Sequence, residues 1–599
     1  MMKIAQFTLL LCATSSVSAQ GVDYIKSHYT KYEHYIPMRD GVRLFTAVYA
    51  PKDDAKTWPV LMVRTPYSVR PYGPDKYPAN LGPSEIAAKA GYIFVNQDVR
   101  GRFMSEGTFE QVRPHNTKLS ESTDTYDTIE WLLKHVPNHN GKVGMYGISY
   151  PGFYVSAGMI DAHPALVAVS PQAPVGDWFI GDDFHHNGAF YLVHALRWFS
   201  ANSRAMLNPT TGPTTPQAVD YRTPDGYKFY LDMGPLANFE EKELKGSVPF
   251  WTDMMRHGTY DDFWKARNIR PHLKNIKPAV LNVGGWFDAE DLFGTLETYK
   301  WTERNSPGAY NVLVMGPWYH GQWARDEGAK LGPVEFNAKT GEFYREKIEL
   351  PFFEHFLKGK PDPKLPEAYA FETGSNRWVR HNAWPPKEAA AKTIYLQPGG
   401  KLAFEAAKSA GFDEYLSDPA KPVPYTGYIA ANMTREHMLD DQRHAARRPD
   451  VLAFESAVLE SDVVAAGPVR PVIYVSTTGT DSDFVVKLID VNEDDFQQLV
   501  RGEVFRGKFR NSFEKPEPFV PGEVAKIDYV MPDVNHNFRR GHRIMIQIQS
   551  TWFPLVDRNP QKFMDIYSAR REDFQKATQH IFYGGRYNSG VTIQVMGYN

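Results

Sequence analysis

The chain has 599 residues, enough for up to about four domains. It is 42% hydrophobic and 23% charged, which is too apolar a balance for an intrinsically disordered protein. The formal net charge is −3 and the sequence has no run of Lys and Arg, so we do not expect it to bind nucleic acid.

The first twenty residues have the layout of a secretory signal peptide. Lys3 precedes an apolar stretch over 7–13, and small residues follow up to Ala19. This pattern predicts cleavage after about Ala19 and a periplasmic or secreted protein with no membrane anchor, because the apolar stretch is too short to span a bilayer. A buried N-terminal helix is the alternative. Cys12 is the only cysteine, so the predicted mature chain has no disulfide, cysteine–metal site or cysteine nucleophile.

Residues 30–380 alternate short apolar runs with helical patterns, as in a mostly parallel sheet covered by helices. The predicted strands are 59–63, 92–96, 142–146, 165–170, 279–283 and 311–315, and the predicted helices are 124–136 and 150–160. The strand pattern stops in a segment rich in Trp, Phe, His, Met and Pro. We therefore expect an α/β domain over 20–174 and 276–380, interrupted by a helical cap over 175–275.

Residues 385–599 are predicted to form an all-β jelly-roll domain. The segment 383–392, with Trp-Pro-Pro and an Ala/Lys-rich run, suggests a linker in front of it. Short alternating strands follow at 472–477, 484–491 and 544–548, separated by turn residues.

Ser149 is the predicted nucleophile. It stands in Gly-Ile-Ser-Tyr-Pro-Gly at 147–152, after a predicted strand and before a predicted helix. This is the nucleophile-elbow context of α/β-hydrolases, in which a sharp turn exposes the serine and requires small neighbours. The usual glycine two positions after the serine is replaced by Pro151, and Gly152 follows it. A serine in an ordinary strand-to-helix turn is the alternative interpretation.

Two hydrogen-bond donors are expected to stabilise an oxyanion at this serine. The backbone N–H of Tyr150, directly after the serine, points where the oxyanion would form. The phenolic O–H of Tyr67, in Arg-Thr-Pro-Tyr after an early strand, is the second candidate. A packed turn tyrosine is the alternative interpretation of Tyr67.

The acid and the base are expected on loops after two later strands, in the chain order serine, acid, histidine. One strand leads into Gly-Gly-Trp-Phe-Asp and the next into Gly-Pro-Trp-Tyr-His, which end at Asp288 and His320. We assign Asp288 as the orienting acid and His320 as the general base for Ser149. Asp291 is the main alternative to Asp288.

More carboxylates stand near these residues than a catalytic triad uses. Glu290 and Asp291 follow Asp288 on the same loop, and Asp182 and Asp183 lie early in the predicted cap. Because clustered carboxylates repel one another, we expect a cation between them, and a substrate α-ammonium group would fit. Capping acids at the start of a helix are the alternative interpretation of Glu290 and Asp291.

A metal site formed by Asp182, Asp183, His185 and His186 is a further alternative. Adjacent histidines rarely face one ion, and no ligand from a third element stands out. We therefore expect no metal and no cofactor.

Together these motifs resemble the α-amino-acid ester hydrolases, relatives of the cocaine esterase and X-prolyl dipeptidyl-peptidase group of serine hydrolases. The resemblance covers nearly the whole predicted mature chain. In the first part it rests on RTPY, GISYPGF, GDDFHHNGAF, GGWFDAEDLFG and GPWYHGQW. In the second part it rests on AGPVRPVIYVSTTGTDSDFVVKLIDV and STWFPLVDRNP, which look like the jelly-roll domain of the group. The G-x-S-Y-x-G form is the family's own pattern, which accounts for Pro151.

The resemblance implies a residue for each catalytic role. Ser149 would be the nucleophile, Asp288 the acid and His320 the base, and the oxyanion hole would consist of the Tyr150 N–H and the Tyr67 O–H.

The resemblance also implies a substrate class. Asp183, Glu290 and Asp291 match the carboxylates that bind the substrate's α-amino group, although the choice between Asp182 and Asp183 stays open. The implied activity is hydrolysis of α-amino-acid esters and amides, or transfer of their acyl group, through an acyl-enzyme. β-Lactam antibiotics would be substrates and β-lactam nuclei acceptors, and the assembly would be a homotetramer.

Two kinds of alternative function remain open. The first is a general carboxylesterase or an X-prolyl dipeptidyl-peptidase on the same scaffold. The second is a non-catalytic protein whose β domain binds a carbohydrate or cell-surface ligand, which an intact Ser/Asp/His set disfavours.

Overall fold

The first half of the chain folds around a ten-stranded sheet, seen in a computed structural model that describes residues 21–204, 206–212 and 218–597. The predicted signal peptide and Cys12 lie outside these residues. The strands of this sheet are β1 (Tyr29–Pro37), β2 (Arg43–Pro51), β3 (Trp58–Thr65), β4 (Ile93–Asp98), β5 (His139–Ile148), β6 (Leu166–Gln172), β7 (Ala279–Gly285), β8 (Asn311–Gly316), β9 (Ala368–Glu372) and β10 (Arg377–His381).

The strand order across the sheet is β1-β2-β4-β3-β5-β6-β7-β8-β9-β10. The pairs from β4 through β9 are parallel, and the pairs β1–β2, β2–β4 and β9–β10 are antiparallel. Parallel strands place their carboxyl ends at one edge, where open α/β sheets bind their ligands. At this edge β5, β7 and β8 lead into Ser149, Asp288 and His320.

The two strands that lead to the predicted acid and base are completely buried. Every residue of β7 and of β8 is buried, which explains why both read as continuous apolar runs. Helices cover the two faces of the sheet: Val22–His28, Glu85–Ala90, Glu121–His135, Tyr150–Gly158, Leu292–Asn305, Thr340–Tyr344 and Leu350–Lys358, the last two joined by the π-helical turn Arg345–Glu349.

Helices are the main regular structure described in the insertion between β6 and β7. Its helices are Leu192–Asn202, Gly226–Met233, Ala237–Phe239, Pro249–Arg256 and Asp262–Arg267, with a π-helical turn at Glu240–Leu244. The short antiparallel pair His185–His186 and Ala189–Phe190 precedes them. This hairpin was not expected, because two-residue strands leave no alternating pattern in a sequence.

The second half of the chain builds a twelve-stranded, mainly antiparallel sheet. Its strands are Ala390–Gln397, Lys401–Ala403, Gly411–Ser417, Leu452–Glu455, Val463–Thr477, Asp483–Val491, Gln497–Arg506, Ala525–Asp528, Met531–Phe538, Arg543–Gln549, Ala577–Tyr583 and Gly590–Val595. Among the described residues a short α-helix, Arg443–Ala446, and the 3₁₀ turns Gly507–Phe509, Ile566–Ser568 and Arg571–Asp573 lie between them. The predicted fold class is confirmed: an α/β-hydrolase domain with a helical cap insertion, followed by an all-β jelly-roll domain.

The segment predicted as a linker is not one over its whole length. Trp384 is buried and its Nε1 donates to Asp533 Oδ2 at 2.8 Å. The Ala/Lys-rich run continues into the strand Ala390–Gln397. Alanine and lysine on a half-exposed strand give little alternation of apolar and polar residues. The linker prediction was therefore wrong for this part of the segment.

The β domain supports the loop that carries Asp183. His185 Nε2 lies 2.6 Å from Tyr567 Oη, and His186 Nδ1 lies 2.9 Å from Glu503 Oε2. Asp557 Oδ1 accepts the backbone N–H of Phe190 at 3.2 Å. The conformation of this part of the cap therefore depends on contacts with the second domain.

None of the helices in the described ranges has the length and apolar character needed to cross a membrane.

The buried ion pairs at this junction should matter for stability. Arg506 is fully buried and pairs with Asp483 and Asp557. Asp557→Ala should lower the thermal midpoint strongly, because breaking a buried pair costs about 3–5 kcal/mol. Scanning calorimetry would measure the shift. Lys526→Ala, which removes a solvent-exposed ion pair, is the control and should have little effect. Equal shifts for the two variants would contradict this role of Arg506.

Candidate active site

Ser149 stands at a sharp turn between β5 and the following helix. Its φ is 69°, in the left-handed region that non-glycine residues rarely adopt. A Cβ on Gly147 would lie 2.4 Å from the carbonyl oxygen of Pro151, and one on Gly152 would lie 2.6 Å from that of Gln172. Gly152 therefore permits the close approach of helix and sheet, and the position held by Pro151 does not need a glycine.

The two predicted oxyanion donors lie next to this turn. Tyr150 begins the helix, so its backbone N–H belongs to the first turn, whose N–H groups have no intrahelical acceptor. Its ring is anchored elsewhere, since its hydroxyl accepts from Val112 N and donates to Gln111 Oε1. Tyr67 packs edge-on against the Tyr150 ring, and its hydroxyl accepts from Trp198 Nε1 at 3.2 Å.

Tyr67 can act as a hydrogen-bond donor in the oxyanion hole. It lines the same cavity as Ser149. Loss of solvent around its hydroxyl and the nearby charge of Asp183 raise the pKa of Tyr67 well above its usual value. The phenol therefore stays protonated at neutral pH and can donate to an oxyanion.

Asp288 and His320 form a direct pair. His320 Nδ1 lies 2.8 Å from Asp288 Oδ2 and 3.0 Å from Oδ1. Asp288 Oδ1 also accepts the backbone N–H groups of Glu290 and Asp291. Burial alone would raise the pKa of Asp288, but His320 and these N–H groups outweigh burial and lower that pKa. Asp288, rather than Asp291, therefore occupies the position that orients the imidazole.

The second imidazole nitrogen and the serine hydroxyl both face carboxylates. His320 Nε2 lies 3.4 Å from Glu290 Oε2 and 3.9 Å from Asp291 Oδ2. Ser149 Oγ donates to Asp291 Oδ2 at 3.5 Å. Within the described ranges Ser149 and His320 form no hydrogen bond with each other. In this arrangement the nucleophile and the base contact Glu290 and Asp291 instead of one another.

Asp183, Glu290 and Asp291 form what we call the carboxylate cluster. The backbone N–H of Asp183 donates to the carbonyl oxygen of Glu290 at 2.8 Å, which joins the cap to the acid loop. Asp183 Oδ2 accepts from Trp178 Nε1 at 2.7 Å, and Oδ1 lies 3.0 Å from His194 Nε2.

Asp182 has a different environment from Asp183. Its Oδ2 accepts the N–H groups of Gly176 and Asp177, and its Oδ1 accepts that of Gly294. Both oxygens are thus used to hold the cap loop against a helix. Of the two alternatives left open by the sequence, the geometry favours Asp183 as the member of the cluster.

Asp291 is the least compensated member of the cluster. It is fully buried, and its Oδ1 has no hydrogen-bond partner in the part of the chain that the structure describes. Burial, followed by the charges of Asp183 and Asp182, raises the pKa of Asp291 well above its usual value. A buried carboxyl oxygen without a partner is costly, so this position favours a bound cation or donor.

Asp288 and the carboxylate cluster together control the protonation of His320. Burial by itself would lower the pKa of His320, but the charges of Asp288 and Glu290 outweigh it and raise the pKa to about 9. At neutral pH the imidazole therefore carries a proton on both nitrogens. A protonated imidazole cannot accept the Ser149 proton.

The four residues of the alternative metal site diverge. Asp182 binds backbone N–H groups, His185 faces Tyr567, and His186 pairs with Glu503. A different set, Asp183, His194 and Glu290, has ligand atoms within 4.8 Å of one another. That set could accept a cation, and an ammonium group would suit it as well as a metal ion would.

His194 belongs to the site, although the sequence did not single it out. It is buried, lines the cavity and binds Asp183. Burial would lower the pKa of His194, but Glu290 and Asp183 reverse the effect and raise it. The chain has 19 histidines, so the residue type alone does not identify His194. Its position one helical turn before Trp198, which contacts Tyr67, is the one signal that could have done so.

An elbow serine, an Asp–His pair on successive strand ends and an α/β-hydrolase sheet define the class of this protein: a serine hydrolase. The X-Pro dipeptidyl-peptidase (S15 family) model matches residues 40–322, and the model of the X-Pro dipeptidyl-peptidase C-terminal non-catalytic domain matches residues 363–592. The chain belongs to this family, in the group that includes cocaine esterase and α-amino acid ester hydrolase.

Three relatives show how far the similarity extends. A solved aminopeptidase from a marine sediment Thaumarchaeota archaeon is 37% identical, with a TM-score of 0.89 over 95% of this chain and 97% of that one. A solved α-amino acid ester hydrolase is 34% identical, with a TM-score of 0.89 over 99% of this chain and 100% of that one. The cocaine esterase of Rhodococcus sp. (strain MB1 Bresler) is 27% identical over an alignment of 589 residues that covers 94% of this chain and 97% of that one.

A covalent label would test the predicted nucleophile. A serine-directed phosphonate should attach to Ser149, and Ser149→Ala should lose both labelling and turnover while the circular dichroism spectrum stays unchanged. Peptide mapping by mass spectrometry locates the label. Attachment to another residue, or activity that survives in Ser149→Ala, would refute the assignment.

The pKa of His320 should be visible in a pH profile. With a neutral activated ester such as p-nitrophenyl butyrate, kcat/KM should rise with pH up to about 9, because only the neutral imidazole is a base. Glu290→Gln removes a charge that raises this pKa, so the midpoint should fall by about one pH unit or more. Glu523→Gln, an exposed acid in the β domain, is the control. An unchanged midpoint in Glu290→Gln would contradict the coupling.

Proposed function

We propose that this serine hydrolase acts on α-amino-acid esters and amides, hydrolysing them or transferring their acyl group to an amine. β-Lactam antibiotics with an α-amino acyl side chain fall within this class. The observation that carries the proposal is the carboxylate cluster at the nucleophile. Asp291 contacts the Ser149 hydroxyl with one oxygen, and its other, buried oxygen has no partner among the residues that the structure describes.

A substrate α-ammonium group fits the electrostatics of this position. The α-carbon of such a substrate is bonded to the carbonyl that Ser149 attacks, so its nitrogen lies within a few ångströms of the reacting atoms. Bound among Asp183, Glu290 and Asp291, the ammonium would donate hydrogen bonds to the carboxylate oxygens and offset their negative charge. A substrate without the amino group would leave the buried Oδ1 of Asp291 without a donor.

The same binding event would prepare the base. An ammonium group that attracts Glu290 and Asp291 would offset the charges that hold the proton on His320, so the pKa of that imidazole would fall toward neutrality. Glu290 would leave Nε2, and Asp291 would leave the Ser149 hydroxyl. The neutral imidazole could then accept the serine proton.

The reaction would follow two acyl-transfer steps. Ser149 Oγ forms a bond to the ester or amide carbonyl carbon, and the Tyr150 N–H and Tyr67 O–H stabilise the oxyanion. His320 returns the proton to the leaving alcohol or amine as its bond to the carbonyl carbon breaks. Water or an acceptor amine then attacks the acyl-enzyme. Asp288 orients the imidazole throughout.

Two relatives bear on this choice of substrate. A solved structure that shares 34% identity over the whole length is an α-amino acid ester hydrolase, and one at 37% is an aminopeptidase. Both kinds of substrate present an α-amino group, which supports the role proposed for the cluster. A general carboxylesterase is the competing function, and it gives the cluster no ligand.

Export and assembly complete the proposal. We infer export to the periplasm or the medium from the sequence of the first 19 residues, and a homotetramer from the resemblance to the α-amino-acid ester hydrolases. Light scattering on the purified chain would measure the assembly.

Two esters that differ in one group test the proposal. Phenylglycine methyl ester should exceed phenylacetic acid methyl ester in kcat/KM by about 10⁴-fold, since sites built to pair a polar group reject analogues that lack it. The preference should fade as the pH rises and the amine loses its proton. Comparable values for both esters would reduce the protein to a general esterase.

Substitutions in the cluster should remove this preference selectively. Asp183→Asn and Asp291→Asn should raise KM for the amino ester much more than for the desamino ester, because each removes a charge that pairs with the ammonium. Asp494→Asn, an exposed acid in the β domain, is the matched control. Equal losses on both esters would contradict the ammonium role.

A further inference from the structure

The active-site cavity has positive as well as negative walls. Its volume is about 580 Å³, and besides Ser149 and His320 it is lined by three arginines, Arg197, Arg325 and Arg435. All three are solvent-exposed at its rim. None of them forms an ion pair with a carboxylate anywhere in residues 21–204, 206–212 and 218–597. The rim of the cavity therefore carries three guanidinium groups for which the described residues supply no ion-pair partner. The Tyr319 hydroxyl that Arg435 contacts also donates to Asp326.

Two of these arginines contact the backbone of His320 or the residue before it. Arg325 Nη1 donates to the carbonyl oxygen of His320 at 2.8 Å. Arg435 stacks on the ring of Tyr319, the residue before His320, with its guanidinium 4.6 Å from the ring centroid. Its Nη1 also donates to the Tyr319 hydroxyl at 3.3 Å. The third, Arg197, stands one helical turn from His194, on the side of the carboxylate cluster.

The two ends of a bound substrate are therefore offered opposite charges. The imidazole that accepts the nucleophile's proton returns it to the leaving group, so the leaving group departs on the imidazole side. That is the side of Arg325 and Arg435. The acyl portion, with its α-ammonium, points to the carboxylate cluster. A guanidinium binds a carboxylate through charge-assisted, often bidentate hydrogen bonds.

We propose that Arg435 and Arg325 bind a carboxylate on the leaving group, and that the preferred substrates are zwitterions. Such a substrate has a free α-ammonium on its acyl portion and a free carboxylate on its leaving amine. Small peptides and β-lactams with an α-amino acyl side chain share this chemistry. The inference rests on the proposed function, because the ammonium end must bind the cluster for the carboxylate end to reach the rim.

The reaction on such a substrate is an ordinary acyl transfer. The bond from Ser149 Oγ to the carbonyl carbon forms, and the bond from that carbon to the amide nitrogen breaks. The proton passes from the serine through His320 to that nitrogen. Water then attacks the acyl carbon, its hydroxyl stays on the acyl group and its proton returns to Ser149 Oγ, so one dipeptide and one water give two amino acids. In the reverse sense, an amino acid with a free carboxylate would be the preferred acyl acceptor.

Three substrates that share the same acyl group distinguish binding at the ammonium end of the site from binding at the carboxylate end. They are phenylglycyl-alanine, phenylglycyl-alaninamide and phenylglycine methyl ester, of which only the first has a leaving-group carboxylate. In the unaltered enzyme, kcat/KM for the dipeptide should exceed that for its amide by about tenfold, chiefly through KM, as expected of solvent-accessible charge pairing.

Variants of Arg435 should change this ratio. Arg435→Gln should bring the ratio of dipeptide to amide close to one, and Arg435→Lys should restore part of it, since lysine keeps the charge but not the planar fork. Arg325→Gln should also lower the ratio. Arg586→Gln is the matched control, because Arg586 is exposed and stacks on Tyr587 at the same 4.6 Å but lies outside the cavity.

The outcomes distinguish this inference from the proposed function. If the methyl ester is no better a substrate than its desamino analogue, the proposed function fails and the inference fails with it. If the amino preference holds but a leaving-group carboxylate improves neither the peptide substrate nor a β-lactam substrate, or if the carboxylate preference is unchanged in Arg435→Gln, only the inference is overturned.

A second pair of compounds identifies the source of the carboxylate. Ampicillin and its carboxyl methyl ester repeat the comparison with a β-lactam nucleus as the leaving group. If only the peptide pair shows a carboxylate preference, the rim recognises peptides. If only the ampicillin pair shows it, the rim recognises β-lactam nuclei. A preference in both pairs supports recognition of the carboxylate itself.

Discussion

The site is organised by the repulsion among four carboxylates around one imidazole, three of them buried and the fourth, Glu290, half-buried. Asp183, Asp288, Glu290 and Asp291 all lie near His320, and the nearby imidazoles compensate only part of this charge. Burying charges that lack a full set of partners costs free energy, so the rest of the structure must hold them in place. The consequence is a pocket with a strong preference for a positively charged group next to the nucleophile.

The two domains share the work of holding this charge. The α/β sheet delivers Asp288 and His320 on completely buried strands, whereas Asp183 reaches the site from the cap, whose hairpin is fastened to the β domain. The buried Arg501 of that domain also donates to the carbonyl oxygen of Trp286, two residues before Asp288. The C-terminal domain therefore acts on the chemistry through the position of both acid-bearing loops.

Much of this architecture was readable from the sequence, because its signals are local. Continuous apolar runs predicted the buried strands, and the glycines around Ser149 predicted the elbow. The residues that needed tertiary information are those joined by long-range contacts. Nothing near Arg435 in the sequence indicates that an irregular loop of the β domain reaches the rim of the catalytic cavity. Asp182 and Asp183 were indistinguishable as neighbours, and only their different hydrogen-bond partners separate them.

The position of one nitrogen atom tests most directly whether the carboxylate cluster binds a substrate ammonium group. A crystal structure of Ser149→Ala with phenylglycine methyl ester would locate the α-nitrogen of an uncleaved substrate. We expect this nitrogen within hydrogen-bond distance, about 3 Å, of carboxylate oxygens of Asp183, Glu290 and Asp291. We also expect His320 Nε2 to be released from Glu290. An α-nitrogen that points to solvent, or a phenyl ring seated against those carboxylates, would contradict this role of the cluster.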